Sequence, residues 1–230
     1  VTAVAEQVKT ALQWLERRGS SRVREDMRVR YGIIAPRAYG VPVGMIQKLA
    51  KELGRDHDLA LALWETGWYE ARLLTAYVDQ PEMVTRAQMD RWARECDNWG
   101  VVDTLCFCLF DRSPHAWGRV KAWSGRKEEF VKRSGVVLLA CLALHDRASP
   151  DGPFLGALPL LEKAATDERN FVRKGVSWAI RTVGGRNRAL NRATLQLVER
   201  LAQSENPTAR SIGKLGIRDL KSPALRRRLR

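Results

Sequence analysis

Apolar residues recur at intervals of three and four along almost the whole chain, with polar and charged residues between them. Val4, Val8, Ala11, Leu12 and Leu15 make one such stripe, and Val172, Val176, Ala179, Ile180 and Val183 make another. That spacing marks a helix with one buried face. It predicts helices over about 1–18, 22–31, 42–53, 56–68, 69–79, 85–96, 97–111, 113–123, 126–147, 153–166, 169–184, 191–203 and 206–220. No stretch alternates with period two for long enough to form a strand, so the expected class is all-α. Gly19-Ser20-Ser21 breaks the first stripe. The segment from Gly32 to Pro42 is the strongly turn-like stretch of the first half. Pro42 suits the first turn of the helix that follows it.

The later helices resemble one another. Phe130-Val131-Lys132-Arg133 returns as Phe171-Val172-Arg173-Lys174. The run from Thr166 to Arg173 is echoed by Ser204 to Arg210. A period of about 40 residues with two helices per unit points to HEAT-like repeats. The expectation is therefore a single HEAT-like helical-repeat solenoid over residues 1–230, ending in a basic tail from about 221 to 230. In such a solenoid each repeat buries its face against its neighbours, which leaves an extended concave surface. A plain helical bundle accommodates the same helices, but it has no need of a repeated short linker and basic helix start.

Charge adds a partner to this picture. Lys and Arg total 40 against 26 Asp and Glu, a net charge of +14. The excess favours a polyanion, nucleic acid being the commonest for a basic globular domain, and predicts that the concave surface is basic. No apolar run approaches the ~20 residues that span a bilayer. Residues Val1 to Gln7 lack the charged and apolar regions of a signal peptide, and a cytoplasmic location with no membrane partner is expected. Cys96, Cys106, Cys108 and Cys141 form no C-x-x-C pair, and His57, His115 and His145 lie at no ligand spacing from them. Neither metal nor cofactor is expected, and the thiols read as reduced, mostly as small buried hydrophobes. The sequence has no Gly-rich phosphate loop and no G-x-S-x-G elbow.

Two helices carry the candidate chemistry. Trp99 and Asp103 are four residues apart, which puts them on one helical face, at the flank of the stripe Val101, Val102, Leu105, Cys108 and Leu109. A carboxylate in such surroundings is costly unless paired or used. It either bridges to an arginine or serves, with the indole, a cationic ligand. On the helix near 169–184, Lys174, Trp178 and Arg181 line up roughly opposite the apolar stripe. Trp178 either packs on a neighbouring element or faces a ligand. Lys132 and Arg133 open an apolar helix, where Arg133 could reach a phosphate or pair with an acid. The basic runs Arg22 to Arg30 and Arg226 to Arg230 read equally as phosphate grips and as solvated surface.

These residues carry a resemblance. The segment from Gly40-Val41-Pro42 to about residue 190, with Leu63-Trp64-Glu65, Glu70-Ala71-Arg72, Trp99-x-x-x-Asp103, Lys132-Arg133 and Trp178-Ala179-Ile180-Arg181, resembles the HEAT-like-repeat alkylpurine DNA glycosylases, the AlkD-type DNA alkylation repair family. The resemblance implies that Asp103 is the catalytic carboxylate, that Trp99 and Trp178 contact the deoxyribose of the lesion nucleotide, and that Arg133 contacts backbone phosphate. Lys132, Lys174 and Arg181 are the further DNA-binding candidates. The implied activity is excision of cationic N3- and N7-alkylated purines from double-stranded DNA, by a monomer, without flipping the base. The rival readings are a non-catalytic HEAT-like scaffold that binds nucleic acid or acidic proteins, and a protein of this fold that recognises branched DNA without cutting. The latter would be expected to lack Asp103.

Overall fold

The computed structural model describes residues 2–229, apart from the side chain of Thr2. Among the described residues the chain forms fourteen α-helices, one short 3-10 turn and no strand. It divides into two compact units, Val1–Pro114 and His115–Arg230.

The first unit contains α1 (Thr2–Glu16), α2 (Ser21–Val29), α3 (Val43–Leu53), α4 (His57–Glu65), α5 (Tyr69–Val78), α6 (Arg86–Glu95), α7 (Trp99–Cys108) and the 3-10 turn Phe110–Arg112. Its centre is α5, which packs on α1, α3, α4 and α7. Leu73, Leu74, Ala76 and Val78 of α5 are buried, as its apolar run after Arg72 requires, and among the charged residues of α5 only Glu70 is buried. The environment of Glu70 explains its burial. Fully buried, it accepts the backbone N–H groups of Tyr39, Gly40 and Val41 at 3.0, 2.7 and 3.2 Å. A buried carboxylate with three such donors is compensated, and it pins the turn-like segment onto the core. Gly40 has φ +81°, and a Cβ there would lie 2.2 Å from the Ser20 carbonyl oxygen, so only glycine fits. Trp64 of α4 stacks on Trp92 of α6 with ring centroids 4.5 Å apart, which joins those two helices.

The second unit contains α8 (Ala116–Ser124), α9 (Glu129–His145), α10 (Asp151–Ala164), α11 (Asn170–Gly184), α12 (Arg188–Ala202), α13 (Pro207–Leu220) and α14 (Pro223–Arg228). Here the repeat is visible as packing. α8, α10 and α12 follow one another in one layer, α9, α11 and α13 in a second, and the hairpins α8–α9 and α12–α13 are tightly joined. Gly135 and Gly213 sit at equivalent positions of the repeat. A Cβ on either would lie 2.5 Å from the Ser124 backbone nitrogen or 2.3 Å from that of Ala202, so each lets its helix approach the end of the preceding one.

The expected helices are present, with ends displaced by a few residues. α12 starts at Arg188 because Asn187 caps it, its Oδ1 accepting the Leu190 N–H at 2.9 Å. The expected basic tail is a helix over most of its described length. Ser222 caps α14, Arg228 donates to the Gly185 carbonyl at 2.8 Å, and the Arg188 Nε donates to the Leu229 carbonyl at 2.6 Å. Val1 and Arg230, which belong to the expected leader-free start and the tail, lie outside the described residues. Among the described residues no helix is long and apolar enough to cross a membrane.

Candidate active site and nucleic-acid interface

In the first unit the candidate site is built on α7. Asn98 caps this helix, its Oδ1 accepting the Val101 N–H at 3.0 Å. Val101, Val102, Leu105, Cys106 and Leu109 are buried, which fixes the rotation of the helix about its axis. Cys108, expected in that stripe, is only partly buried. Trp99 and Asp103, one turn apart, are left at the margin, each partly exposed. The indole is held in place: Trp99 Nε1 donates to the Tyr31 carbonyl at 2.8 Å. Tyr31 follows α2, where its own N–H bonds to the Asp26 carbonyl at 3.3 Å.

Behind the pair lies Tyr69. It is buried against Gly100, where a Cβ would stand 2.6 Å from the tyrosine hydroxyl oxygen, so α7 approaches α5 through a glycine. Burial, reinforced by Glu70, Tyr77 and Asp103, pushes the Tyr69 hydroxyl well above its usual range. Burial likewise pushes the Cys96 thiol up, with Asp103 among the nearby acids that add to the effect and Arg72 opposing it. Asp103 thus acts electrostatically on two buried neutral groups while its own side chain reaches the surface. Tyr69, Gly100 and Tyr31 were not distinguishable in the sequence as parts of this site.

In the second unit the candidates divide between α9 and α11. On α11, Val172, Val176, Ala179, Ile180 and Val183 are buried, as the spacing requires. Lys174 and Arg181 are exposed and Trp178 is partly exposed. Trp178 borders two cavities. One, of about 570 Å³, runs between α11 and α13 and is lined also by Arg173, Lys174, Arg181 and Ser211. The other, of about 710 Å³, lies against the ends of α9 and α14. Among the described residues the Arg173 and Lys174 side chains make no ion pair or hydrogen bond. Arg181 has only a long contact, 3.9 Å, to Asp219. Arg173, which the sequence pattern did not single out, stands with Lys174 on the same groove.

Lys132 and Arg133 are placed differently. Lys132 Nζ bonds to Asp167 Oδ2 at 2.7 Å, and Arg169 grips the same carboxylate at 2.8 and 2.6 Å. Arg169, with Lys132 beside it and against the opposing effect of burial, holds the Asp167 carboxyl well below the usual carboxylate range. Arg133 is 5% exposed and donates to the carbonyl of Phe171 in the first turn of α11. Both cations tie α9 to the start of α11. Trp99 and Asp103 therefore share one helix of the first unit, Lys174, Trp178 and Arg181 one helix of the second, and Lys132 and Arg133 are engaged inside the fold.

Helical hairpins stacked in two layers, as α8 to α13 are, define a helical-repeat protein of the HEAT-like class. The chain matches the family model described as DNA alkylation repair enzyme over residues 11–211, and it belongs to that family. Among solved structures it is similar, with a TM-score of 0.74 and 19% identity over 90% of this chain and 92% of the other, to a member of a family related to the HEAT-like repeat DNA glycosylases and described as having affinity for branched DNA structures. A designed armadillo repeat protein in complex with the peptide (KR)4 is a more distant likeness, with a TM-score of 0.44 and 15% identity over 94% of each chain. The search of curated proteins found no match.

Proposed function

We propose that this protein is a DNA glycosylase that releases cationic N3- and N7-alkylated purines from duplex DNA, with Asp103 as its catalytic carboxylate. The observation that carries the reading is the pairing of Asp103 with Trp99 on α7, a half-buried carboxylate one turn from an indole held by its own hydrogen bond. Membership of the DNA alkylation repair family supports it.

Alkylation at N3 or N7 gives the purine a positive charge, so the base leaves as a neutral molecule and the sugar becomes oxocarbenium-like. A carboxylate at ~4 Å in an effective dielectric of ~20 attracts that charge by about 4 kcal/mol. That is roughly three powers of ten in rate, enough for a bond already weakened by the leaving group. The indole face of Trp99 adds about 0.5–2 kcal/mol of cation–π attraction. Asp103 also serves as acceptor for a proton of the attacking water. On the second unit, Trp178 with Arg173, Lys174 and Arg181 offers an aromatic and cationic surface to the DNA backbone. Lys132 and Arg133 serve this function by holding the start of α11. Selectivity comes from the charge of the leaving base, so uracil and hypoxanthine, which are neutral, stay in place.

The test is abasic-site formation on matched duplexes carrying 7-methylguanine, 3-methyladenine, uracil or hypoxanthine. The wild type is expected to act on the first two. Asp103→Asn is expected to lower release about a thousandfold, with DNA affinity unchanged or tighter because a charge that repels phosphate is gone. Full activity in the Asn variant removes Asp103 from the mechanism, and comparable rates on the neutral bases remove the leaving-group argument. A second reading, a binder of branched DNA without cleavage, draws on the structural likeness described above. Tight binding of a four-way junction with no release of any alkylated base would favour it.

A further inference from the structure

The family match ends at residue 211, and the chain runs on through α13 into α14. No residue of α14 is buried, yet the helix is held at both ends: Ser222 caps its start, and Arg228 donates to the Gly185 carbonyl. Its place on the second unit makes it one wall of the open cavity of about 710 Å³ beside Trp178. Sites for small organic ligands run from about 300 to 1,000 Å³. Leu144 at the end of α9 and Ala224 and Leu225 of α14 supply apolar wall, and Trp178 supplies an indole.

Cations stand around the same space. Arg147, Arg181 and Arg228 line it. Arg147 is exposed and, among the described residues, its side chain makes no ion pair or hydrogen bond. Arg186 is engaged with the fold, donating to the carbonyls of Ala143 and Ser149 at 3.3 and 2.9 Å and covering the Phe154 ring. Asp219 is offset by Arg181 at 3.9 Å and Arg218 at 3.4 Å.

An object with a flat apolar part and an anionic part fits this lining. A phosphate alone would use the arginines and leave the leucines and the indole without a role. A base within a duplex is paired and stacked on both faces and cannot enter. We propose that α14, with the ends of α9 and α11, forms a binding site for one unpaired nucleotide of a DNA strand, its base between Leu144, Leu225 and the indole, and its phosphate on Arg147 and Arg228. The inference rests on the DNA-binding reading above and adds a preference for DNA that presents an unpaired nucleotide.

Fluorescence anisotropy on three labelled DNAs tests it: a fully paired duplex, the same duplex with a one-nucleotide bulge, and one with a single-stranded flap. The wild type is expected to bind the bulged and flapped DNAs about tenfold more tightly, the contribution of one stacked base. Arg147→Ala and Leu144→Ser are both exposed-residue changes, checked by melting, and each is expected to remove most of that preference. Neither should change affinity for the paired duplex by more than about twofold, since the site is then empty. Equal wild-type affinity for all three DNAs overturns the proposal, as does an equal loss on all three in the variants, which would make Arg147 an ordinary backbone contact. Failure of the wild type to bind any of them would instead overturn the DNA-binding reading itself.

Discussion

α9 and α11 begin with the same pattern, a phenylalanine, a valine and two cations, and put the cations to opposite uses. In α9, Lys132 is bound to Asp167 and Arg133 is buried against the Phe171 carbonyl. In α11, Arg173 and Lys174 are exposed and unpaired among the described residues. For Lys132 the cause is one residue in the linker that precedes the next repeat. Asp167 Oδ1 accepts the Arg169 N–H at 3.2 Å, and Ser204 Oγ accepts the Asn206 N–H at 3.2 Å. The two residues do the same work for the backbone, but only Asp167 brings a charge to hold the cation of the helix beside it. The first cation of such a helix start is therefore clamped where this one linker position is acidic, as at Asp167, and left open where it is a neutral serine, as at Ser204.

The comparison can be broken most forcefully at Arg133. Arg133→Ala leaves the Phe171 carbonyl without its charged donor and opens space between α9 and α11. The expected loss is about 2–3 kcal/mol of stability, measured by urea unfolding. Lys174→Ala, the equivalent position on α11, should leave stability unchanged. An Arg133→Ala protein as stable as the wild type, with weakened DNA binding, would return Arg133 to the DNA surface.

The carboxylate of the clamp gives a pH test. Its folded pKa is depressed, so its contribution to stability is fully present above the ordinary aspartate value of about 3.9 and is lost as pH falls through the lower folded value. Asp167→Asn should therefore melt below the wild type at neutral pH, and the gap should close as the solution is acidified below about pH 4. A gap that is constant with pH would mean that shape, and not charge, sets the role of Asp167.

The smallest expected effect sharpens the comparison by copying the clamp. Ser204→Asp keeps the backbone hydrogen bond and gives Arg173 a partner. Duplex affinity should fall modestly, and the slope of log K against log salt should become shallower by about 0.9, the share of a single neutralised phosphate. An unchanged slope would show that Arg173 does not touch phosphate.

The helices, the repeat in the second half and the buried stripes of α7 and α11 were legible in the sequence. They follow from periodicity, a local property that any helix must satisfy to bury one face. The placement of Trp99 beside Asp103 was legible for the same reason, because residues four apart on a helix are neighbours whatever else the chain does. What surrounds that pair was not. The Tyr31 carbonyl that orients Trp99 lies 68 residues away, and the Tyr69 that requires Gly100 lies on another helix. The destiny of each cation was also beyond sequence reading. Lys132 and Arg133 differ little in composition from Arg173 and Lys174, and a charge becomes a clamp or an open surface according to which acid or carbonyl the tertiary packing brings within hydrogen-bonding distance. The C-terminal arginines show the same limit: their composition read equally as a phosphate grip and as solvated surface, and two long-range hydrogen bonds to carbonyls made the segment a docked helix and a wall of a cavity.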